Sequence, residues 1–413
     1  MPRSLAALMG IPISPREPAI TNAPHNWKPI MKTQISLVVP ALAAVLALGA
    51  AAHAQGQYIF TPQGQYNFTP VDYPGASQTS ARAVSGTNLV GFYIDSRGNE
   101  YGYIYNGSTW TTLSDPLAGI GPSGGTAAAG ISSTNIVGVY WDTSGNQHGF
   151  LYDGRNWTKL DDPNAAPGPN AGTAAQGISG TSIVGWYVDA EGVNHGFFYS
   201  ISSSNWTTLD DPFAGSRSGQ GTFANGISGT NIVGQYYDIN GAIHGFLYDG
   251  VAWATIDDPS GSDGTYASGI SGRNIVGSYW DSSDHTHGFL YNGSTWTNKL
   301  DDPLAPIGHY PGGGTFLRGI EGTQVVGDYY VDDGNVHGFL VTPMPQLVIT
   351  QSSGGLAISW PYSPFVTWTV QQCSDLTTTN WTIASGAISN DATNNSLTVT
   401  APADNLFFRL QQQ

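Results

Sequence analysis

Cysteine is nearly absent. Cys373 is the single thiol in 413 residues, which excludes an intramolecular disulfide and a cysteine-rich metal site. Positive charge is scarce as well: 13 Lys and Arg stand against 29 Asp and Glu, and a formal net charge of −16 excludes nucleic acid and anionic membrane surfaces as general partners. Lys and Glu, which usually fill exposed helix faces, are rare. Gly, Thr, Asn, Ser and aromatic residues abound instead, the composition of short strands and tight turns. No long uninterrupted apolar run is present, since the run from Ile35 to Ala51 contains Pro40 and Gly49. With Met31-Lys32 ahead of it and Ala52-His53-Ala54 as an A-x-A cleavage site behind it, residues 31–54 read as a removable export signal, and residues 1–30 as a leader from a start codon placed too far upstream. The mature chain is expected to be extracellular or at the cell surface, without an integral membrane span.

What the sequence does contain is a repeat. The phrase Gly-Ile-Ser-Gly-Thr-Asn-Ile-Val-Gly, a Tyr-Tyr-Asp, a Gly turn, His-Gly-Phe-Leu-Tyr and Trp-Thr-Thr-Leu-Asp-Asp-Pro recurs with its Ile position at Val84, Ile131, Ile178, Ile227, Ile270 and Ile320, a period of about 47 residues. Each copy holds four strand-like segments bounded by turn signals; in the fourth these are 221–228, 231–238, 244–249 and 253–258. Four antiparallel strands per repeat, six times over, predict an all-β, six-bladed β-propeller across residues 55–343. The sixth copy lacks its Trp-Thr-Leu-Asp-Asp-Pro strand, and Tyr66 to Pro74, ahead of the first copy, resembles that missing piece. The N-terminal strand is therefore expected to close the last blade and remove the open edges.

The repeated Gly-Ile-Ser, Ile-Val-Gly and His-Gly-Phe-Leu-Tyr segments resemble the extracellular HAF repeats of bacteria over about residues 66 to 342, with Gly149, Gly196, Gly245, Gly288 and Gly338 where that family has Ala, and Tyr101 in place of the first His. The resemblance implies secretion and repeat architecture and transfers no activity. Residues 346–413 lose the period and alternate as Leu347-Val348-Ile349-Thr350, Leu356-Ala357-Ile358-Ser359-Trp360 and Trp368-Thr369-Val370-Gln371. They look like a small immunoglobulin- or fibronectin-type β-sandwich.

Three repeated side chains invite chemistry and have plainer explanations. His148, His195, His244, His287 and His337 fall on the third strand of their blades, too far from one another to share one ion, and are expected to hold turns, so no metal or cofactor is assigned. The Asp161-Asp162, Asp210-Asp211, Asp257-Asp258 and Asp301-Asp302 pairs point to opposite faces and read as turn caps before proline, with weak Ca²⁺ binding as the functional alternative. Trp110, Trp157, Trp206, Trp253 and Trp296, one per blade, read as core between blades.

The innermost strand is more informative because its frame is constant while one position varies: Arg82, Ala129, Gln176, Asn225, Ser268 and Arg318. Two residues earlier come Ser80, Ala127, Ala174, Phe223, Tyr266 and Phe316. Closure would bring Arg82 beside Arg318, with Phe316 and Glu321 nearby, a setting for a carboxylate, sulfate or sugar hydroxyls. Gln176, Asn225 and Tyr266 complete the candidate ligand-binding set. The function expected is a secreted, monomeric, non-catalytic binding or surface protein that takes a glycan or small anion at the axis. The alternative is a carbohydrate-active enzyme: Asp142-Thr143-Ser144-Gly145 is similar to the Asp-containing hairpin of sialidases. Glycosidic cleavage needs two facing carboxylates, however, and the mature repeats hold only Glu100, Glu191 and Glu321 as glutamates, with no nucleophile constellation and no catalytic residue to assign.

Overall fold

The computed structural model describes residues 66–412 apart from 169–170, 306–312, 332–333, 353–354, 364, 375–379, 392–393 and 400–405, so the expected leader and export signal over 1–54 lie outside the described residues. Every regular element among the described residues is a strand, and no helix is long and apolar enough to cross a membrane.

The fourth repeat shows how sequence becomes sheet. Gly221–Ser228, Asn231–Tyr237, Ile243–Tyr248 and Trp253–Thr255 pair antiparallel in chain order. The first turn passes through Gly229 at φ 63°, where a side chain would be strained. The second is organised by Asp238, whose Oδ1 accepts the N–H groups of Asn240 and Ala242, each at 2.8 Å. At the end of the sheet Asp258 caps its own turn, accepting the Ser260 N–H at 2.8 Å, and donates its N–H to Thr265 Oγ1 at 2.9 Å. Thr265 opens the next repeat, so the cap also ties one sheet to its successor. Asp115, Asp162, Asp211 and Asp302 bond Thr126, Thr173, Thr222 and Thr315 in the same way.

The core lies between repeats. Val233 and Ile256 of the fourth pack against Ala267, Ile270, Ile275, Tyr279 and Phe289 of the fifth. The cluster joining the sixth to the first is built from Val326 and Leu340 with Ala81, Val84 and Leu89. Phe150, Phe197, Phe246, Phe289 and Phe339 occupy equivalent, fully buried positions. Each contributes about 1.5–3 kcal/mol of burial that one repeat alone would not fully secure, because part of each of these clusters belongs to a neighbour.

The segment ahead of the first repeat and the last strand of the sixth close the circuit. Tyr66–Pro70 pairs antiparallel with Val336–Pro343, supplying the outer strand the sixth repeat lacks. Asp72 then accepts from His337 Nδ1 at 3.1 Å and from the Gly338 N–H at 3.2 Å, as Asp257 does from His244 at 2.7 Å and Gly245 at 3.2 Å in the fourth repeat. The innermost strands neighbour one another in order, and Gly314–Glu321 of the sixth lies against Gln78–Ser85 of the first. A β-carbon on Gly319 would sit 2.5 Å from the Arg82 carbonyl oxygen, so this approach requires glycine. Turn-to-turn hydrogen bonds run around one rim: Ser132, Ser179, Ser228 and Ser271 hydroxyls accept the N–H groups of Gly180, Gly229, Gly272 and Gly322 at 3.0–3.2 Å.

Beyond Pro343 the repeat stops. Val348–Ser352, Gly355–Pro361, Asn394–Val399 and Ile388–Asn390 form one sheet in that spatial order, and Thr382–Ile383, Trp368–Cys373 and Phe407–Gln412 a second. Ile358, Trp360, Val370 and Leu397 form their common core, and Cys373 is a buried free thiol.

Candidate functional site

Each innermost strand breaks register at the same place, and the extra residue of the resulting bulge is Arg82, Ala129, Gln176, Asn225, Ser268 or Arg318. A bulge leaves one residue unpaired and re-aims its side chain. Here it turns all six inward on a single cavity of about 130 Å³. Tyr266 and Phe316 reach that cavity from two residues earlier, and Trp186, Gln235 and Ser278 from the second strands.

The second strand also contributes the residue that sequence reasoning missed. Asp328 stands opposite Phe316 in the ladder and is fully buried. It receives two hydrogen bonds from Arg318, Nε to Oδ2 at 3.1 Å and Nη2 to Oδ1 at 3.0 Å, and a further one from the Ser80 hydroxyl. The signal was available: the residue after the glycine of each Val-Gly strand is Phe92, Val139, Trp186, Gln235, Ser278 and Asp328, a second variable position in the same frame.

Arg318 also lies over the Phe316 ring at 4.6 Å, and Arg82 over Phe92 at 5.1 Å. The two guanidiniums differ in their partners. Burial acts to lower the Arg318 pKa, and the charge and hydrogen bonds of Asp328 more than reverse it. For Arg82, burial and then the neighbouring Arg318 charge bring the pKa down to about 10, against a weaker opposing pull from Asp328. Arg82 Nη2 is sealed from solvent with no hydrogen-bond partner among the described residues.

The other expected site residues divide. Gln176, Asn225 and Tyr266 line the cavity, although the Asn225 amide is already engaged, donating to Gln235 Oε1 and to the Ala267 carbonyl at 3.0 Å. Glu321 does not join them. The chain passes into its turn three residues after the bulge, and the exposed carboxylate accepts from the Gly86 N–H and from Ser85 Oγ at 3.4 Å, taking the place that serine holds at the other junctions.

The repeated histidines are held apart and stack on strand-two tyrosines, as His244 does on Tyr236 at 5.1 Å. His148 and His195 each lie between two carboxylates, Asp161 at 2.9 Å and Asp142 at 3.5 Å for the first, Asp210 at 3.0 Å and Asp189 at 3.1 Å for the second. The first Asp of each Asp-Asp-Pro thus fixes a histidine while the second caps the turn. The tryptophans are half-buried on the outermost strands, Trp253 lying 5.0 Å from Phe246.

No protein-family model matches the chain, and no curated protein matches it. Among solved structures it is similar to the Aleuria aurantia lectin in complex with Fucalpha1-6GlcNAc, at 14% identity and a TM-score of 0.42 over 68% of this chain and 94% of the lectin. It is similar also to TolB from Acinetobacter baumannii, at 13% identity and a TM-score of 0.40 over 67% of this chain and 65% of TolB. For the β-propeller domain of the Trilobed protease from Pyrococcus furiosus the values are 10% and 0.34 over 69% of this chain and 95% of that domain. Likenesses at this level assign no residue and no ligand.

Proposed function

We propose that this chain is a secreted, non-catalytic binding protein: a six-bladed β-propeller of HAF-type repeats followed by a small β-sandwich, which takes the anionic group of a small ligand or acidic glycan at its axis. One observation carries the reading. Two guanidiniums line the axial cavity, only Arg318 is paired with the buried Asp328 carboxylate behind it, and Arg82 Nη2 is sealed without a hydrogen-bond partner among the described residues. A buried cation that is only partly compensated is costly, and a bound ion or water is one arrangement that would satisfy its unpartnered donor.

Size sharpens the ligand class. Pockets for drug-sized ligands hold roughly 300–1,000 Å³, whereas this cavity of about 130 Å³ suits a carboxylate or sulfate, with the bulk of any sugar left at the mouth. The enzyme alternative has less support, because Asp328 is engaged by Arg318 and Ser80 and lies too deep to act as one of two facing carboxylates.

Calorimetric titration with acetate, sulfate and uronic acids, followed by a glycan array, tests the proposal on the parent, Arg82→Gln and Arg318→Ala. Binding of at least one acidic ligand by the parent, and its loss in Arg82→Gln, is the expected result. Equal binding by all three proteins would overturn it.

A further inference from the structure

The fifth repeat differs from the others at the hairpin between its second and third strands. Four residues after the hairpin aspartate stand Asn99, Asn146, Val193 and Ala242 in the first four repeats, and Asn335 occupies the same place in the sixth; in the fifth it is His285. In the second repeat Asn146 donates its amide to Asp142 Oδ2 at 3.0 Å, which leaves that oxygen occupied. In the fifth, an imidazole faces the oxygen instead. The expectation of no metal rested on one histidine at each third strand, and here two stand together, separated by a single strand residue and so projecting on one side.

We propose that Asp281, His285 and His287 form a binding site for a first-row divalent transition metal of the Zn²⁺ class. The geometry is that of three ligands around one point. Asp281 Oδ2 is 3.3 Å from His287 Nε2 and 3.5 Å from His285 Nδ1, and the three ligand atoms all lie within 4.8 Å of one another. A tetrahedral ion with bonds of about 2.0–2.1 Å separates its ligands by about 3.3–3.4 Å. One edge already has that length and a second is within about 0.2 Å of it, and the third closes by rotation of the partly exposed His285 ring.

Each ligand atom is also aimed by its surroundings. Asp281 Oδ1 is occupied by the N–H groups of Ser283 at 2.8 Å and His285 at 3.1 Å, which turns Oδ2 toward the imidazoles. His287 Nδ1 donates to Asp301 Oδ2 at 2.7 Å, while Asp301 Oδ1 accepts the Gly288 N–H at 3.0 Å. A carboxylate holding the far nitrogen fixes the tautomer that presents Nε2 as a lone-pair donor, the arrangement that supports zinc-bound histidine. His287 is 4% exposed, and Asp281 and His285 are 25% and 27% exposed. The site therefore has a rigid inner ligand and an open outer side, where water or an exogenous ligand completes the coordination. Nitrogen and carboxylate donors without sulfur favour Zn²⁺, Co²⁺ or Ni²⁺ over Ca²⁺, which takes six to eight oxygens.

The test titrates the chelator-treated chain with Co²⁺, read by its visible absorption, and with Zn²⁺, read by calorimetry. His285→Asn restores the residue that the second and sixth repeats carry, so its folding is checked against the parent's melting temperature in chelator. The parent is expected to bind one equivalent with a tetrahedral Co²⁺ spectrum. His285→Asn should lose that spectrum with an unchanged melting temperature, and Asp301→Asn should weaken binding roughly 10–100-fold, while His148→Ala binds as the parent does. Absence of Co²⁺ binding by the parent, or a His285→Asn protein that binds like the parent, would overturn the proposal.

Discussion

The axial wall and the outer hairpin face are made from the same repeat, and they differ in what the copies are free to change. At the bulge the repeats supply Arg82, Ala129, Gln176, Asn225, Ser268 and Arg318, side chains of unlike charge and size. On the hairpin face the second to fifth repeats supply the same histidine against the first Asp of Asp-Asp-Pro, from His148 on Asp161 to His287 on Asp301, and the sixth sets His337 on Asp72; only the first has Tyr101 there. The outer position answers to its own hairpin and its own turn, so its surroundings are similar from copy to copy and the residue is a histidine in five of the six. The inner position faces a space common to all six copies, where each side chain contributes one part of the wall of a single cavity. Variation inside a strict repeat therefore marks the shared surface, and constancy marks local scaffolding.

The comparison breaks most readily at Asp328. Asp328→Ala leaves the Arg318 guanidinium buried beside Arg82 without its carboxylate, and should cost about 3–5 kcal/mol in urea denaturation. A loss no greater than that of an outer-face substitution such as His148→Ala would show that the axis is not held by charge. Arg82→Gln separates binding from stability: its unfolding free energy in chloride-free buffer should stay within about 1 kcal/mol of the parent, or rise. The parent's thermal stabilisation by acidic ligands should vanish in the variant, as measured by scanning fluorimetry.

The outer face should reveal itself through pH. Burial pulls the His195 pKa down, but the hydrogen bonds and charges of Asp210 and Asp189 outweigh it and hold the pKa above the ordinary 6.5. A raised histidine pKa contributes stability that is complete below about pH 6.5 and is lost as pH climbs through the folded value. The melting-temperature gap between the parent and His195→Gln should accordingly narrow from about pH 6 to pH 8, and a gap independent of pH would count against the ion pairs. The smallest effect belongs to the rim. Ser179→Ala removes one exposed bond to the Gly229 N–H at 3.2 Å, and a cost of about 0.5 kcal/mol is expected from equilibrium unfolding.

Several features were legible in the chain because they are local or repeated. Alternation and Asp- or Gly-bearing turns specify four strands per copy, and in the fourth repeat the strand ends fall within three residues of the expected ones. The resemblance of Tyr66 to Pro74 to a missing strand pointed to its pairing with Val336–Pro343. The variable inner position was legible for the same reason, as a change inside a fixed frame.

Three features were not legible, and each depends on where an interruption of regular geometry sends a side chain. The bulge shifts register by one residue, so Arg318 meets Asp328 of the next strand, whereas strict alternation would have favoured pairings along one strand. Glu321, only three residues on, is carried into a turn and out to the rim. His285 and His287 meet on one carboxylate because Asp281 is locked by its hairpin, a juxtaposition invisible in a count of one histidine per copy. The sequence by itself determined the repeat, its strands and the segment that completes the last sheet, since these follow from patterns spanning a few residues. Which charges pair and which remain open was decided only by the folded sheets and their closure, because it depends on a bulge within one repeat and on residues as far apart in the chain as Ser80 and Asp328.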